Sequence, residues 1–455
     1  MKNWESRLFK AGLYIFYGLL AYMPLHILLS TWVGTSFDIL PAAKVFKEVA
    51  LIAGFLCAAA AAITKPWFRD FLKDRLIWLI AAYAALTLLL AALKPTDQDA
   101  EILGVVYNLR FLLFFIYAGL LAGLYDVKKL LHKSLIIALA VGIFVSLFGV
   151  IQYAVLPTDA LTKVGYSREN GVLPAFFIDD KPDLERIMST VRDPNSLGSY
   201  LIIITSLALS LFFGTRQKDK ARVFAGISLL GLLALLLTFS RSAWLGFIFA
   251  AVVILFFLKP LKEYLQQYKK ALSIIFVSLI LVLTLAAITF KDSYFVQNVI
   301  FHADQSTVLE DPNELRVRFW QESVANITQN PAGTGPGTAG LASIRNNVQG
   351  TELNENYYLQ IASEVGILGL LLFLAILVLV ARRLFRRRES TIALALLAAF
   401  AGLAVTNFLV HIWSNEAVAY TWWGLTGLLL LNSNSNNAKN SGNLLSSVIR
   451  KKRRK

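Results

Sequence analysis

Residues 227–257, ISLLGLLALLLTFSRSAWLGFIFAAVVILFF, hold two apolar runs parted by one short polar corner at Ser240, Arg241 and Ser242. A helix crossing a hydrocarbon core of about 30 Å needs roughly 20 apolar residues, and each run comes near that length. A corner this short leaves room only for two antiparallel helices, and it sets a guanidinium at the membrane boundary. The pattern continues outward in both directions. Apolar runs recur near 8–30, 46–64, 76–93, 102–124, 134–156, 197–214, 222–239, 243–258, 271–290, 358–380, 391–411 and 416–431. The chain of 455 residues is 57% hydrophobic and 16% charged, where soluble chains have roughly 45–50% and 25%. The expected fold is all-α: a polytopic membrane bundle of about twelve transmembrane helices, with a large outer loop that contains a short helix.

The formal net charge of +15 raises the question of nucleic acid, but its distribution answers otherwise. Lys and Arg concentrate in alternate connections, KPWFRDFLKDR, YDVKKLLHK, TRQKDKAR, KPLKEYLQQYKK and RRLFRRR, and at both ends of the chain. That alternation follows the positive-inside rule, so both termini are expected in the cytoplasm and the partners are membrane lipids, not nucleic acid. The first run is followed by further spans and by no small-residue cleavage pattern, so it reads as a retained helix. Cys57 is the only cysteine, which rules out a disulfide within the chain.

Two outer connections exceed ordinary length, 157–196 and 291–357, and long loops tend to carry function. In the second, DPNELRVRFWQESVANITQN opens with Asp311 as a cap, Pro312 at the first helical position and Glu314 in the first turn, a helix-start signature. Residues 1–431 are expected to form one integral domain, and 432–455 a disordered basic cytoplasmic tail.

The candidate chemistry gathers at the outer rim. Arg241 taken alone reads as an interfacial arginine that snorkels to water, but Arg192, in STVRDPNSLGSYL, falls on the same side and shifts the balance toward a site. Guanidinium groups offer planar, permanently charged, bidentate contacts to phosphate oxygens, a geometry that suits a pyrophosphate. Asn195 is a candidate for a substrate hydroxyl, although Asp-Pro-Asn also makes a turn and a helix start. Arg316, Arg318 and Arg345 are further phosphate candidates or solvated charges. Arg110 lies within the fourth run, where an arginine is costly and turns toward a partner or a wet cavity. Gly335 and Gly337 belong to a G-x-G-x-x-G string that lacks the strand of a dinucleotide site; it reads as a flexible loop or as backbone amides near phosphate. Glu355 and Asn356 stand at the mouth of the tenth run, where a carboxylate serves as an interfacial anion or as a general base. Glu364, two turns deeper, reads as structural or bound to backbone. The four histidines are scattered, so no metal site and no cofactor are expected.

In order and placement, VRDPNSLGSYL, TFSRSAWLGF, LRVRFWQESVANITQNPAGTGPG and ENYYLQIASEVGILGLLLFLAIL make the chain resemble the O-antigen ligase and polymerase superfamily. These are bacterial inner-membrane glycosyltransferases that move a polyprenyl-pyrophosphate-linked glycan onto an acceptor hydroxyl of a glycan, lipid or protein outside the cytoplasm. The resemblance implies pyrophosphate recognition by Arg192 and Arg241. Where the ligase pattern has histidine followed by asparagine, this chain has Glu355 and Asn356, a departure that makes polymerase-like relatives more attractive than a lipopolysaccharide core ligase. Glu355 is then the expected base. The competing class is a transporter or flippase of lipid-linked glycan, marked by internal repeats and broken helices around a midplane site.

Overall fold

The computed structural model describes residues 3–178, 181–258, 312–348 and 350–431. Helices α1 (Asn3–Tyr22) and α2 (His26–Ser36) form one broken span, interrupted by the 3-10 turn Met23–Leu25 at Pro24. The series continues with α3 (Leu40–Ala62), α4 (Trp67–Leu72), α5 (Arg75–Leu93), α6 (Gln98–Leu124) and α7 (Val127–Ala154), followed by α8 (Pro194–Gly214), α9 (Lys218–Leu237) and α10 (Arg241–Phe257). Beyond residue 311 come α11 (Pro312–Gln329), α12 (Tyr357–Arg386), α13 (Thr391–Thr406) and α14 (Glu416–Leu430). Among the described residues, eight spans are long and apolar enough to cross a membrane, and α10 and α13 are shorter apolar helices. The run at 271–290 lies outside the described residues.

The helices begin where polar side chains can take up their first amides, since each helix start leaves backbone donors without an intrahelical acceptor. Asp74, Asp97, Asp126, Asp193, Ser240, Asn356 and Asn415 all accept from backbone N–H groups of the helices they precede. Contacts across the corners put the starts of α8, α10 and α12 at one end of the bundle. Ser240 Oγ donates to Asn195 Oδ1 at 2.8 Å, Thr406 Oγ1 to the Ser242 carbonyl at 3.4 Å, and Tyr357 N to the Asn407 carbonyl at 2.9 Å.

At the centre, every residue of α14 from Ala417 to Leu430 is buried. Its Tyr420, Trp422 and Trp423 pack on Phe114, Phe111 and Phe115 of α6 and on Trp413. Helices α10 and α13 touch backbone to backbone through small residues. A Cβ on Gly402 would sit 2.4 Å from the Gly246 carbonyl oxygen, and one on Gly246 2.8 Å from that of Gly402. Such small-residue contacts let membrane helices gain van der Waals packing where lipid offers no hydrophobic drive.

The connection before α8 departs from the all-α expectation. It carries a 3-10 turn (Ala160–Val164) and an antiparallel hairpin of β1 (Phe176–Ile178) and β2 (Lys181–Arg186), with Phe176 opposite Arg186. A connection of this length has to satisfy its own backbone, and the aromatic and branched FFI stretch suits a strand. Leu161, Tyr166, Val172 and Met188 form a small apolar cluster beneath it.

Gly402→Val should lower the melting temperature of the detergent-purified protein, at a cost of about 1–3 kcal/mol for overpacking. Gly226→Val on the exposed face of α9, where an added Cβ meets nothing within 4 Å, should leave it nearly unchanged.

Candidate functional site

After β2 the chain plunges into the bundle. Met188, Ser189 and Thr190 are fully buried, and each finds a partner. Gln152 Oε1 of α7 accepts from Met188 N at 3.3 Å and Ser189 N at 2.8 Å, Ser189 Oγ donates to the Val145 carbonyl, and Thr190 Oγ1 to that of Pro24. Ile187 N reaches the Leu237 carbonyl at the end of α9, at 3.2 Å. The segment therefore leads from the hairpin, past the α9–α10 corner, into the first turn of α8. Glu185 beside it is pushed up by burial, with the Gln152 amide partly offsetting this.

At the corner Arg241 is the first residue of α10, with Ser240 as its cap, and the preceding Phe239 has a φ of 48°. Asn195, in the first turn of α8, does not offer its oxygen to an open cavity. Asn195 Oδ1 accepts from Ser240 Oγ at 2.8 Å and also from Arg186 Nη2 at 3.1 Å. Arg186, which the sequence reading passed over, also donates Nε to the Thr238 carbonyl at 3.1 Å. Burial and the nearby positive charge of Arg241 push Arg186 down to about 10, against the opposing pull of Asp193. Two helix starts, α8 and α10, thus meet around one amide oxygen, with two guanidinium groups beside it. Helix N-termini carry partial positive charge, which the Asp193 carboxylate capping α8 offsets in part.

Arg192 follows in the same loop. Its charge and that of Arg345, an exposed residue ending the 3-10 turn Gly340–Arg345, both act on Lys44 at the start of α3. Lys44 itself donates to the Asn170 carbonyl at 2.7 Å. Arg186 thus lies near Arg241, and Arg192 and Arg345 both lie near enough to act on Lys44.

Glu355 sits just before α12 in the left-handed region, with a φ of 43°, and it is held by Arg316 of α11. Arg316 Nε and Nη2 both lie 2.8 Å from Glu355 Oε2. The carboxylate remains about a third exposed. Asn356 is the cap of α12, its Oδ1 accepting from Tyr358 N at 2.9 Å and Leu359 N at 3.1 Å. Arg318 points the other way along α11, 3.8 Å from Glu322 and largely exposed.

Gly335 and Gly337 are placed deep. Helix α12 is interrupted at Gly366, with a φ of 77°, and residues 331–337 run alongside the break. Thr334 N donates to the Ser363 carbonyl at 2.8 Å, Gly335 N to that of Glu364 at 3.0 Å, and Ile367 N to that of Pro331 at 2.9 Å. Glu364, fully buried, accepts from Gly337 N and from Asn108 Nδ2 of α6, each at 2.8 Å. The Gly335 and Gly337 amides are therefore spent on α12 and leave no donor for phosphate. Gly337 also approaches α6 so closely that a Cβ would lie 2.1 Å from the Ala100 carbonyl oxygen. Glu364 binds backbone, as its depth in the sequence suggested.

Arg110 is buried and directs both Nη groups to partners inside the protein. Nη1 lies 3.2 Å from Glu48 and 3.0 Å from Glu416, Nη2 reaches the Ser414 carbonyl, and Lys47 lies 3.3 Å from Glu48 and 3.5 Å from Glu416. Two cations and two anions balance here, so Arg110 joins helices and does not line an open substrate cavity. Among the described residues, no group of three or more His, Cys, Asp and Glu is placed to hold a metal ion.

Glu364→Ala should strand Gly337 N and Asn108 Nδ2 without an acceptor, and each buried orphan costs about 1–3 kcal/mol. Thermal unfolding of the purified variant should shift down accordingly. Glu364→Gln, which keeps one acceptor oxygen, should recover part of the loss.

No curated protein matches the chain. The family described as O-antigen ligase matches residues 226–374, a segment that includes the Arg241 corner, α11, the Glu355 mouth and the break in α12. Over that segment, about a third of the chain, the protein is similar to the O-antigen ligase family, in agreement with the resemblance drawn from its motifs.

Proposed function

We propose that the protein is a bacterial inner-membrane glycosyltransferase that moves a polyprenyl-pyrophosphate-linked glycan onto an acceptor hydroxyl, or polymerises it, on the extracytoplasmic side. The family match over residues 226–374 and the apolar helices support a multi-pass membrane protein of the O-antigen ligase type; donor, acceptor and side are the proposal. The observation that carries it is the meeting of the α8 and α10 starts at Asn195 and Ser240, with Arg241 alongside. An electropositive corner at a membrane boundary suits a lipid-linked diphosphate better than any neutral ligand.

In the reaction the acceptor oxygen attacks the anomeric carbon, the bond from that carbon to the phosphate oxygen breaks, and its electron pair leaves with the diphosphate. Arg241 and Arg192 stabilise the negative charge that grows on the leaving group more than they stabilise the ground state, the condition for rate enhancement. Glu355 takes the hydroxyl proton, and a single displacement inverts the anomeric centre. Arg316 holds the Glu355 carboxylate in position, and Arg345 lies with Arg192 on the glycan-facing side. The driving force comes from the diphosphate leaving group, so the scheme needs neither metal nor nucleotide cofactor.

The break in α12 is a feature that favours a transporter, because broken helices mark many transport sites. Here, however, the carbonyls of Ser363 and Glu364 are met by the amides of Thr334 and Gly335, so the break is filled by protein and carries no open midplane site.

With a lipid-linked oligosaccharide donor, Arg241→Ala and Arg192→Ala should each cut transfer by about 10²–10³-fold, the loss seen on removing one oxyanion donor, while the protein still inserts in the membrane. Wild-type rates in the double variant would end the proposal. Glu355→Gln should lose most transfer while retaining donor binding; an unchanged rate and pH profile would remove Glu355 as the base.

A further inference from the structure

We propose that Glu352 and Asn354 are positioning residues for transfer: together they clamp α11 against the mouth of α12 and so fix Glu355 and its partner Arg316 where the acceptor meets them. The inference rests on the reading of Glu355 as the base and adds two residues ahead of it that the motifs do not single out.

Asn354 is fully buried and joins separate segments. Its Nδ2 donates to Ser323 Oγ of α11 at 2.7 Å and to Glu352 Oε1 at 2.8 Å, and its Oδ1 accepts from Gly340 N at 3.0 Å. Glu352 closes the ring from the other side. Its Oε1 also accepts from Ser363 Oγ of α12 at 3.0 Å, its Oε2 from Asn326 Nδ2 of α11 at 2.6 Å, and its backbone carbonyl from Gly340 N at 2.8 Å. One carboxylate thus ties α11, α12 and the segment between them, and hydrogen bonds to an ionised acceptor are stronger than neutral ones.

The clamp bears on Glu355 in two ways. Arg316, Ser323 and Asn326 are spaced by seven and three residues, which puts them on one face of α11. The bonds at Ser323 and Asn326 therefore also aim Arg316 at Glu355. Glu355 itself is held at a φ of 43°, a left-handed conformation that a residue with a side chain keeps only where its surroundings over-determine it. Asn354 before it is pinned by the clamp, and Tyr357 N after it by the Asn407 carbonyl at 2.9 Å. Both contacts from Arg316 fall on Oε2. Among the described residues Oε1 makes no hydrogen bond to protein, so it is the oxygen offered to the acceptor hydroxyl.

Glu352→Gln isolates the clamp, because it keeps the size of the side chain and one acceptor oxygen. With that oxygen on Asn354 and Ser363, its new amide nitrogen meets Asn326 Nδ2, donor against donor. Asn326 cannot turn its amide over without loss, since its Oδ1 accepts from Asn330 Nδ2 at 3.0 Å. The substitution releases α11 and leaves the spans alone.

The test measures transfer in membrane vesicles of the native host, whose own copy of the gene is replaced by each variant, so that donor and acceptor are both supplied. Glu352→Gln should cut transfer about 10- to 100-fold, as a misplacement on the order of 1 Å does, with donor binding retained. Hydrogen exchange of residues 316–329 should quicken while that of the spans stays at the wild-type rate. In a Glu355→Gln background the same change should cost less than about twofold, because a residue that acts through Glu355 then has nothing left to position. Asn354→Asp, which sets a second carboxylate against Glu352, should cost more than Glu352→Gln; if it does not fold, Glu352→Gln carries the test. Wild-type transfer in Glu352→Gln, or losses that multiply in the double variant, would overturn the proposal and leave Glu355 standing as the base. Wild-type transfer in Glu355→Gln would end that reading itself, and this inference with it.

Discussion

Backbone polar groups buried at membrane depth have to find partners inside the protein, because lipid offers none. That constraint shapes every non-helical segment near the site. Residues 187–190 enter the bundle only because Gln152, Val145, Pro24 and Leu237 receive their donors. Residues 331–337 lie against the break in α12 only because each side supplies what the other lacks. The two irregular segments are thus as fixed as the helices, and they position Arg186 and Arg192 on one side and the approach to Glu355 on the other.

The division of labour among charges follows from where each finds its partners. Arg110, deep in α6, is balanced within the protein by Glu48 and Glu416. Arg383 at the opposite end of α12 is likewise matched by Asp74, which also caps α5. At the α8–α10 corner the cations instead face helix starts, which share their sign. Charges that build the bundle are matched within it, and those proposed to bind substrate are gathered at helix starts.

Much of this was legible in the sequence. Hydropathy alone marked the spans, since a run long enough to cross has few other uses, and the Asp311-Pro312 signature marked the start of α11. Arg192 and Arg241 were singled out from their placement beside spans on one side. Arg186 was not, because KPDLERIMST reads as an ordinary polar loop; its burial arises from tertiary pairing of β2 with the end of α9. The glycine string pointed to phosphate only while its loop was free, and the carboxylate that claims Gly337 N lies 27 residues further on. Asn195 and Asn356 were seen as polar groups near a substrate, whereas helix geometry commits one to a bridge and the other to a cap.

The quartet of Lys47, Glu48, Arg110 and Glu416 has a bearing on how the chain is put together during synthesis. Three of its members emerge early, and they leave an excess of one positive charge inside the growing bundle. The neutralising carboxylate arrives only with α14, more than 300 residues after Arg110. The same helix brings the tryptophans that fill the centre, so closure of the core and electrical balance come in one late step. A nascent chain halted before that helix is left both hollow and charged.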